Sequence, residues 1–199
     1  MPKIVNRDER RREIAEALLR VIANAGIEAV SVRSVAAEAG ISAGAVQKYF
    51  ATKEDLLRFA FTLTGEYLLQ RWERVEGSGP FLDVLRRHLL EALPLDEQRR
   101  AELIVVFAFT ARAATLPDWA AQLRDSYDAA QVTTTAFLEA GQDSGDVRTD
   151  VPADRLADLV IVLADGFSAR MLHTPPGSPA HERLLDTLDL ALTDLLAPR

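Results

Sequence analysis

Three neighbouring side chains in the first quarter of the chain could contact nucleic acid. Gln47, Lys48 and Tyr49 place an amide, an ammonium group and a phenol in one short stretch. A glutamine can bind the edge of an adenine in the major groove, a lysine can bind guanine or a phosphate, and a tyrosine hydroxyl can reach a phosphate. The small residues before them, Ala-Gly-Ala at 43–45, would let the backbone come close to DNA. These residue types predict a short DNA-reading helix.

The flanking residues indicate which elements hold this stretch. Ser31 can cap one helix and Ser42 the next, because a serine oxygen accepts a free N–H group of the first turn. Gly40 lies between them as a natural helix stop. A third helix is expected after Thr52, with Asp55 as its capping partner. Helix, glycine-containing turn and helix form a helix-turn-helix layout, although a helical hairpin in the core of an ordinary all-α protein would show the same spacing.

The residue types in this stretch are more specific than the spacing of its helices. The run SVRSVAAEAGISAGAVQKYFATKEDL, residues 31–56, resembles the DNA-binding segment of TetR-family transcriptional regulators. It departs from the usual family pattern at Ala43, where Lys or Arg is common, and at Gln47, where Tyr is common. Both positions tend to touch DNA, so the resemblance implies the motif but not the operator sequence. The predicted DNA-binding set comprises Ser31, Arg33, Ser42, Ala43, Gly44, Ala45, Gln47, Lys48, Tyr49 and Lys53.

An arginine cluster opens the first predicted helix, which is expected to run from about Asp8 to Ala25. Its guanidinium groups could bind phosphates or a minor groove. Alternatively, they form a solvated charged end that is partly paired with neighbouring acidic residues. The cluster consists of Arg7, Arg10, Arg11 and Arg12.

Composition and charge narrow the class of protein. The chain has 199 residues and no cysteine, which excludes disulfides, thiolate zinc sites and thiol nucleophiles. The net charge is −7, but residues 1–58 hold ten Lys and Arg against eight Asp and Glu. A mildly basic first part on an acidic remainder suits a DNA-binding head. The longest apolar run, Leu103 to Phe109, is too short to span a membrane, and we expect a soluble cytoplasmic protein.

The remainder of the chain has apolar residues at helical spacing. We therefore expect an all-α protein, with a helix-turn-helix DNA-binding domain over residues 1–52 and a helical regulatory and dimerisation domain over residues 53–199. A long helix from Lys53 to about Glu76 should join them, and its N-terminus could bind phosphate. The second domain is similar, more loosely, to BetI-like C-terminal domains of the same family. A polar loop is expected from Gly141 to Pro152.

Two sets of side chains in the second domain are candidates for binding. Aromatic residues with isolated polar groups could line an apolar ligand pocket, although each aromatic taken singly is better explained as a core residue. A second set on the last two helices could form a four-helix interface with a second copy, as the family resemblance implies; the alternative is that these stripes face the core of their own subunit. The pocket candidates are Phe107, Thr110, Arg112, Trp119, Tyr127 and Thr134. The interface candidates are Leu159, Val162, Leu163, Gly166, Phe167, Leu188, Leu192 and Leu195.

No residues form a catalytic or metal-binding pattern. The three histidines lack ligand spacing, and no nucleophile elbow, phosphate-binding loop or dinucleotide fingerprint is present. We therefore expect no enzyme and no cofactor. The sequence predicts a homodimeric, ligand-responsive repressor that binds a palindromic double-stranded operator and an unidentified small-molecule effector. An activator or a ligand-independent regulator fits the same sequence, and a helical enzyme or ligand carrier is a remote alternative.

Overall fold

The computed structural model describes residues 7–198, so the first six residues of the predicted DNA-binding domain lie outside it. Within this range the chain forms nine α-helices, a short 3-10 turn at Ile27–Ala29 and no β-strand. The predicted all-α class is confirmed. The helices are α1 (Arg7–Ala25), α2 (Val32–Glu38), α3 (Ala43–Gln47), α4 (Lys53–Trp72), α5 (Phe81–Glu91), α6 (Glu97–Ala113), α7 (Pro117–Asp143), α8 (Ala153–Leu172) and α9 (Pro179–Leu196).

Local capping chemistry determines where several helices begin. Asp96 accepts a hydrogen bond from the backbone N–H of Arg99 and opens α6, and Ser178 accepts one from His181 and opens α9. Gly40 ends the first half of the helix-turn-helix with a φ of 67°, a conformation that side chains with a Cβ rarely adopt. The stop at Gly40 lies where the sequence predicts it, and all three signals depend on residues only a few positions apart.

The compact unit that contains the helix-turn-helix is not continuous in sequence. Among the described residues it comprises 7–69 together with Asp96–Trp119. Its centre is α1, which packs against both α2 and α6 and buries Ile14, Leu18 and Ile22. The unit therefore extends well beyond residue 52, because α4 to Leu69 and α6 share its core.

The second compact unit comprises Gln70–Leu95 and the chain from Ala120 onward. Within it α9 packs against α5 and α8, and an ion pair of 2.5 Å joins Arg86 to Asp189. Its core includes Leu188 and Leu192, which are 2% and 3% exposed within their own subunit. This burial corrects their assignment to a dimer interface: their stripe on α9 is used by the subunit's own core.

Three helix ends differ from those predicted. The first difference is that α3 ends at Gln47, so Lys48 and Tyr49 lie in the turn that follows it. The second is that α4 ends at Trp72, four residues before the predicted end. The third is that α7 continues to Asp143, into the predicted loop. Among the residues described, no helix is long and apolar enough to cross a membrane.

Candidate nucleic-acid interface

The first helix of the motif begins with a reciprocal pair of serines. The Ser34 N–H donates to Ser31 Oγ at 3.0 Å, and the Ser31 N–H donates to Ser34 Oγ at 2.9 Å. Two backbone donors of the first turn are thereby satisfied. The predicted cap at Ser31 is confirmed, whereas its partner Ser34 was not predicted. The pair fixes the start of α2, on which Arg33 is exposed.

The second helix of the motif is short, and it is held by an N-terminal cap and one buried side chain. Its cap is Ser42, whose Oγ accepts the Ala45 N–H at 3.1 Å. Val46 is completely buried and anchors the inner face. On the outer face, a Cβ added to Gly44 would meet no atom within 4 Å. Since neither backbone conformation nor internal packing requires glycine at this position, the open space beside it can accommodate a close approach from outside.

The turn after α3 presents the polar side chains. Gln47 and Lys48 are exposed and Tyr49 is half-buried. The N–H groups of Tyr49 and Phe50 both donate to the carbonyl of Val46, at 2.9 and 3.0 Å. Phe50 is buried, so the chain is held at both ends of this turn. The side chains of Gln47 and Lys48 therefore project from a supported backbone.

The N-terminus of α4 is already occupied by side chains. The Thr52 N–H donates to the Asp55 carboxylate at 3.2 Å, and the Asp55 N–H donates to Thr52 Oγ1 at 3.0 Å. This confirms the predicted capping box. It also places a carboxylate where a phosphate would bind, beside the half-buried Lys53. The predicted phosphate site at this helix end remains a prediction, and it would have to involve Lys53 outside the cap.

Three arginines of the α1 cluster have partners within the protein. Arg10 pairs with Glu13 at 2.6 Å, and Arg12 pairs with Glu66 at 2.5 Å. Arg11 lies over an aromatic ring. The alternative in which the cluster pairs with neighbouring acidic residues therefore describes Arg10, whereas Arg12 pairs with a distant carboxylate and Arg11 with aromatic rings. The position of Arg11 could have been found from the sequence, because it precedes the buried Ile14 and Leu18 by three and seven residues on the same helical face.

The predicted pocket residues do not lie together in one compact unit. Four of them belong to the unit that contains the helix-turn-helix, and Tyr127 and Thr134 belong to the other. Trp119 is 6% exposed, and its ring stacks on Phe109 at 4.6 Å. Phe109 stacks in turn on Phe61, at 3.9 Å. Trp119 is thus a core residue within this stack, whereas Phe107 and Thr110 are half-buried.

Two other pocket candidates have specific polar partners. Arg112 donates to the Glu54 carboxylate at 3.0 Å, and its guanidinium lies 5.7 Å from the centre of the Trp119 ring. The Tyr127 hydroxyl donates to Asp165 at 2.8 Å. Burial and this bond to a carboxylate raise the pKa of Tyr127 to about 12. Desolvation likewise raises the pKa of Asp165 above its usual value.

The predicted dimer surface divides into exposed and buried parts. On α8, Leu159 and Val162 are 46% and 66% exposed, and Gly166 shares their face and is exposed as well. On α9, the exposed apolar residue is Leu190, which sequence reasoning missed. Half-buried positions complete the predicted set: Leu163, Phe167 and Leu195. The apolar surface left for a partner is therefore carried mainly by α8.

Comparison with known proteins agrees with this arrangement. Residues 14–59 match the family described as "Bacterial regulatory proteins, tetR family", and residues 82–197 match "BetI-type transcriptional repressor, C-terminal". The regulator PksA of Bacillus subtilis is 34% identical over 88% of this chain and 84% of its own length. A transcriptional regulator of Rhodococcus sp. RHA1 is 34% identical, with a TM-score of 0.77 over 93% of this chain and 95% of its own. A regulator of Saccharomonospora viridis, solved in complex with choline, is 25% identical, with a TM-score of 0.83 over 96% and 100% of the two chains.

Proposed function

The chain belongs to the tetR family of bacterial regulatory proteins and is a DNA-binding transcriptional regulator, and on that premise we propose that it is a homodimeric repressor of a palindromic operator. The observation that carries the proposal is the capped helix α3. Its inner face is buried through Val46, while Gly44, Gln47 and Lys48 are exposed. The BetI-type description of the C-terminal match supports repression rather than activation.

Each exposed group has a role that follows from its chemistry. Gln47 reads an adenine edge, since an amide can form two hydrogen bonds to adenine in the major groove. Lys48 and Tyr49 bind phosphates on either side of that base. Gly44 admits the DNA backbone, because no side chain occupies the space beside it. Supporting contacts come from the remaining predicted positions: Ser31, Arg33, Ser42, Ala43, Ala45 and Lys53.

Dimerisation uses α8, supported by the exposure of its apolar face. Leu159, Val162 and Gly166 lie at spacings of three and four residues, so they form one stripe on the helix. A second copy related by a two-fold axis would cover this stripe with the same residues. Two heads can bind a palindrome only if their recognition helices lie about 34–36 Å apart, one turn of DNA.

A small molecule relieves repression in this proposal. The structure of the S. viridis relative contains choline, which supports a small-molecule effector for this chain. Within the first compact unit Phe107 and Thr110 remain candidates for contact with an effector, and within the second Tyr127 and Thr134 do. An effector weakens operator binding only if it binds more tightly when the two DNA-binding heads are wrongly spaced for the operator than when they are correctly spaced.

A selection and a reporter assay test the proposal. The purified protein is used to select duplexes from a random library, and the selected site is placed upstream of a reporter gene. We expect a palindromic site, a complex with the mass of two chains and lower reporter output when the protein is present. Higher reporter output in the presence of the protein would identify an activator. A selected site without two-fold symmetry would refute the proposed homodimer on a palindromic operator. Choline serves as the first effector probe, with its effect on operator affinity as the readout.

A further inference from the structure

We propose that Arg11 is a positioning residue for the turn that carries Lys48 and Tyr49, rather than a phosphate contact. The inference rests on the proposed function, since it concerns how the DNA-reading segment is held. Arg11 lies on α1, outside the helix-turn-helix, in a cluster of arginines whose sequence suggests DNA contact. Its contacts assign it a different role.

The guanidinium of Arg11 lies over two aromatic rings. Its central carbon is 4.2 Å from the centre of the Phe59 ring and 5.1 Å from that of Phe50. The two rings are themselves 5.4 Å apart and tilted by 52°. A cation over the face of an aromatic ring within about 6 Å is attracted by the ring's electron density. Arg11 thus joins α1 to the end of the motif and to α4 through one cluster.

The hydrogen bonding of Arg11 also supports a role in packing. Its Nε is buried and has no hydrogen-bond partner among the described residues. By contrast, the neighbouring Arg10 and Arg12 form ion pairs with Glu13 and Glu66. An arginine that is held by ring faces instead of a carboxylate contributes through packing and charge over the rings.

The cluster acts on the DNA-reading turn through Phe50. This residue directly follows Tyr49, and its N–H donates to the carbonyl of Val46 at 3.0 Å. The Phe50 ring is 1% exposed, so its position is determined by the neighbours packed on it. Since the backbone from Val46 to Phe50 is fixed at both ends, loosening the ring would loosen Lys48 and Tyr49 between them.

Hydrogen exchange tests the positioning without DNA. In Arg11→Met, which keeps the length of the side chain and removes its charge, the amides of Tyr49 and Phe50 should exchange about three- to tenfold faster. The control Arg10→Met removes a neighbouring charge that has no ring contact and should leave both amides unchanged. Arg11→Lys restores a cation over the rings and should recover part of the protection. Unchanged exchange in both Arg11 variants would overturn the proposal, and Arg11→Lys decides the outcome if Arg11→Met does not fold.

DNA binding separates a positioning role from the two alternatives. For a positioning residue, Arg11→Met should weaken the selected operator at least about threefold more than random DNA, with the salt slope unchanged. A phosphate contact would instead weaken both DNAs alike and reduce the slope by about one. A purely structural residue would lower the melting temperature without changing the ratio of the two affinities. Either of these results would overturn the proposal, whereas failure of the unmodified protein to select any DNA sequence would overturn the proposed function and leave the exchange test standing.

Discussion

Gly141 is closely surrounded by side chains of the second compact unit, and Gly141→Ala should destabilise the protein. A Cβ at this position would lie 2.6 Å from Phe81 Cζ and 2.7 Å from both Phe81 Cε2 and Val147 Cγ2. All three distances are shorter than carbon–carbon contact permits, and they involve two different side chains. Val147 is 1% exposed, and the Phe81 ring packs 4.7 Å from that of Phe137. Neither neighbour can move aside freely.

The magnitude follows from two opposing effects. Overpacking a well-filled core costs about 1–3 kcal/mol, and two crowded neighbours place this site at about 2–3 kcal/mol. Replacing glycine by alanine inside a helix stabilises the protein by about 1 kcal/mol. The net loss is therefore about 1–2 kcal/mol. For a chain of this size it corresponds to a melting temperature lower by roughly 2–8 °C.

Thermal unfolding followed by circular dichroism checks this value, at one fixed protein concentration. The matched control is Gly65→Ala within α4, because a Cβ there meets no atom within 4 Å. We expect the control to melt about 2–4 °C higher than the unmodified protein. If Gly141→Ala raises the melting temperature as much as Gly65→Ala, the reasoning from close contact is refuted.

Three further predictions concern the DNA-reading turn, the dimer and one tyrosine. Gln47→Ala should weaken operator binding by about 1–3 kcal/mol through one base pair per half-site, whereas an equal loss of affinity for all DNA sequences would make Gln47 a contact to the DNA backbone. Lys48→Ala should lower the salt slope of operator binding by about one. Leu188→Glu places a charge in the subunit's own core and should unfold the chain, whereas Val162→Glu should give a folded monomer; light-scattering mass and helicity, measured together, distinguish the two. Burial and the hydrogen bond to Asp165 raise the pKa of Tyr127 from its usual 10.0 to about 12, so the neutral phenol favours the folded state below about pH 10 and this contribution is lost as the pH rises toward 12. Tyr127→Phe should flatten stability in that window and remove the phenolate absorbance that develops near pH 12. An unchanged titration would contradict the assignment.

Local chemistry made much of the DNA-binding region predictable. The caps at Ser31, Ser42 and Thr52 and the stop at Gly40 each depend on hydrogen bonds or backbone angles within a few residues. The partner of such a group is close in sequence, so the sequence alone identifies it. The same holds for Val46 and the exposed residues opposite it, because a helix of known start has known faces.

Residues whose partners come from distant elements were not predictable in the same way. Trp119 suggested a ligand pocket, but its ring stacks on Phe109 of α6, which stacks in turn on Phe61 of α4. Leu188 and Leu192 showed a clear apolar stripe, yet an apolar stripe suits a core and an interface equally well. Only the placement of the surrounding helices decides between them. Arg112 was likewise predicted as a pocket residue, but its guanidinium donates to the carboxylate of Glu54, which lies 58 positions away in the chain.

The discontinuous unit around α1 has a consequence for synthesis on the ribosome. The chain up to Leu69 leaves the ribosome first, but Asp96–Trp119 belongs to the same compact unit. Until α6 emerges, the surface of α1 that packs against it stays in water, so the nascent head lacks part of its core. Closing the intervening loop of residues 70–95 adds only a modest entropic cost, since each doubling of loop length costs about 0.6 kcal/mol. Completion of the head therefore waits on translation through Trp119, and a ribosome stalled between residues 70 and 95 should display a helix-turn-helix that is readily cleaved by protease.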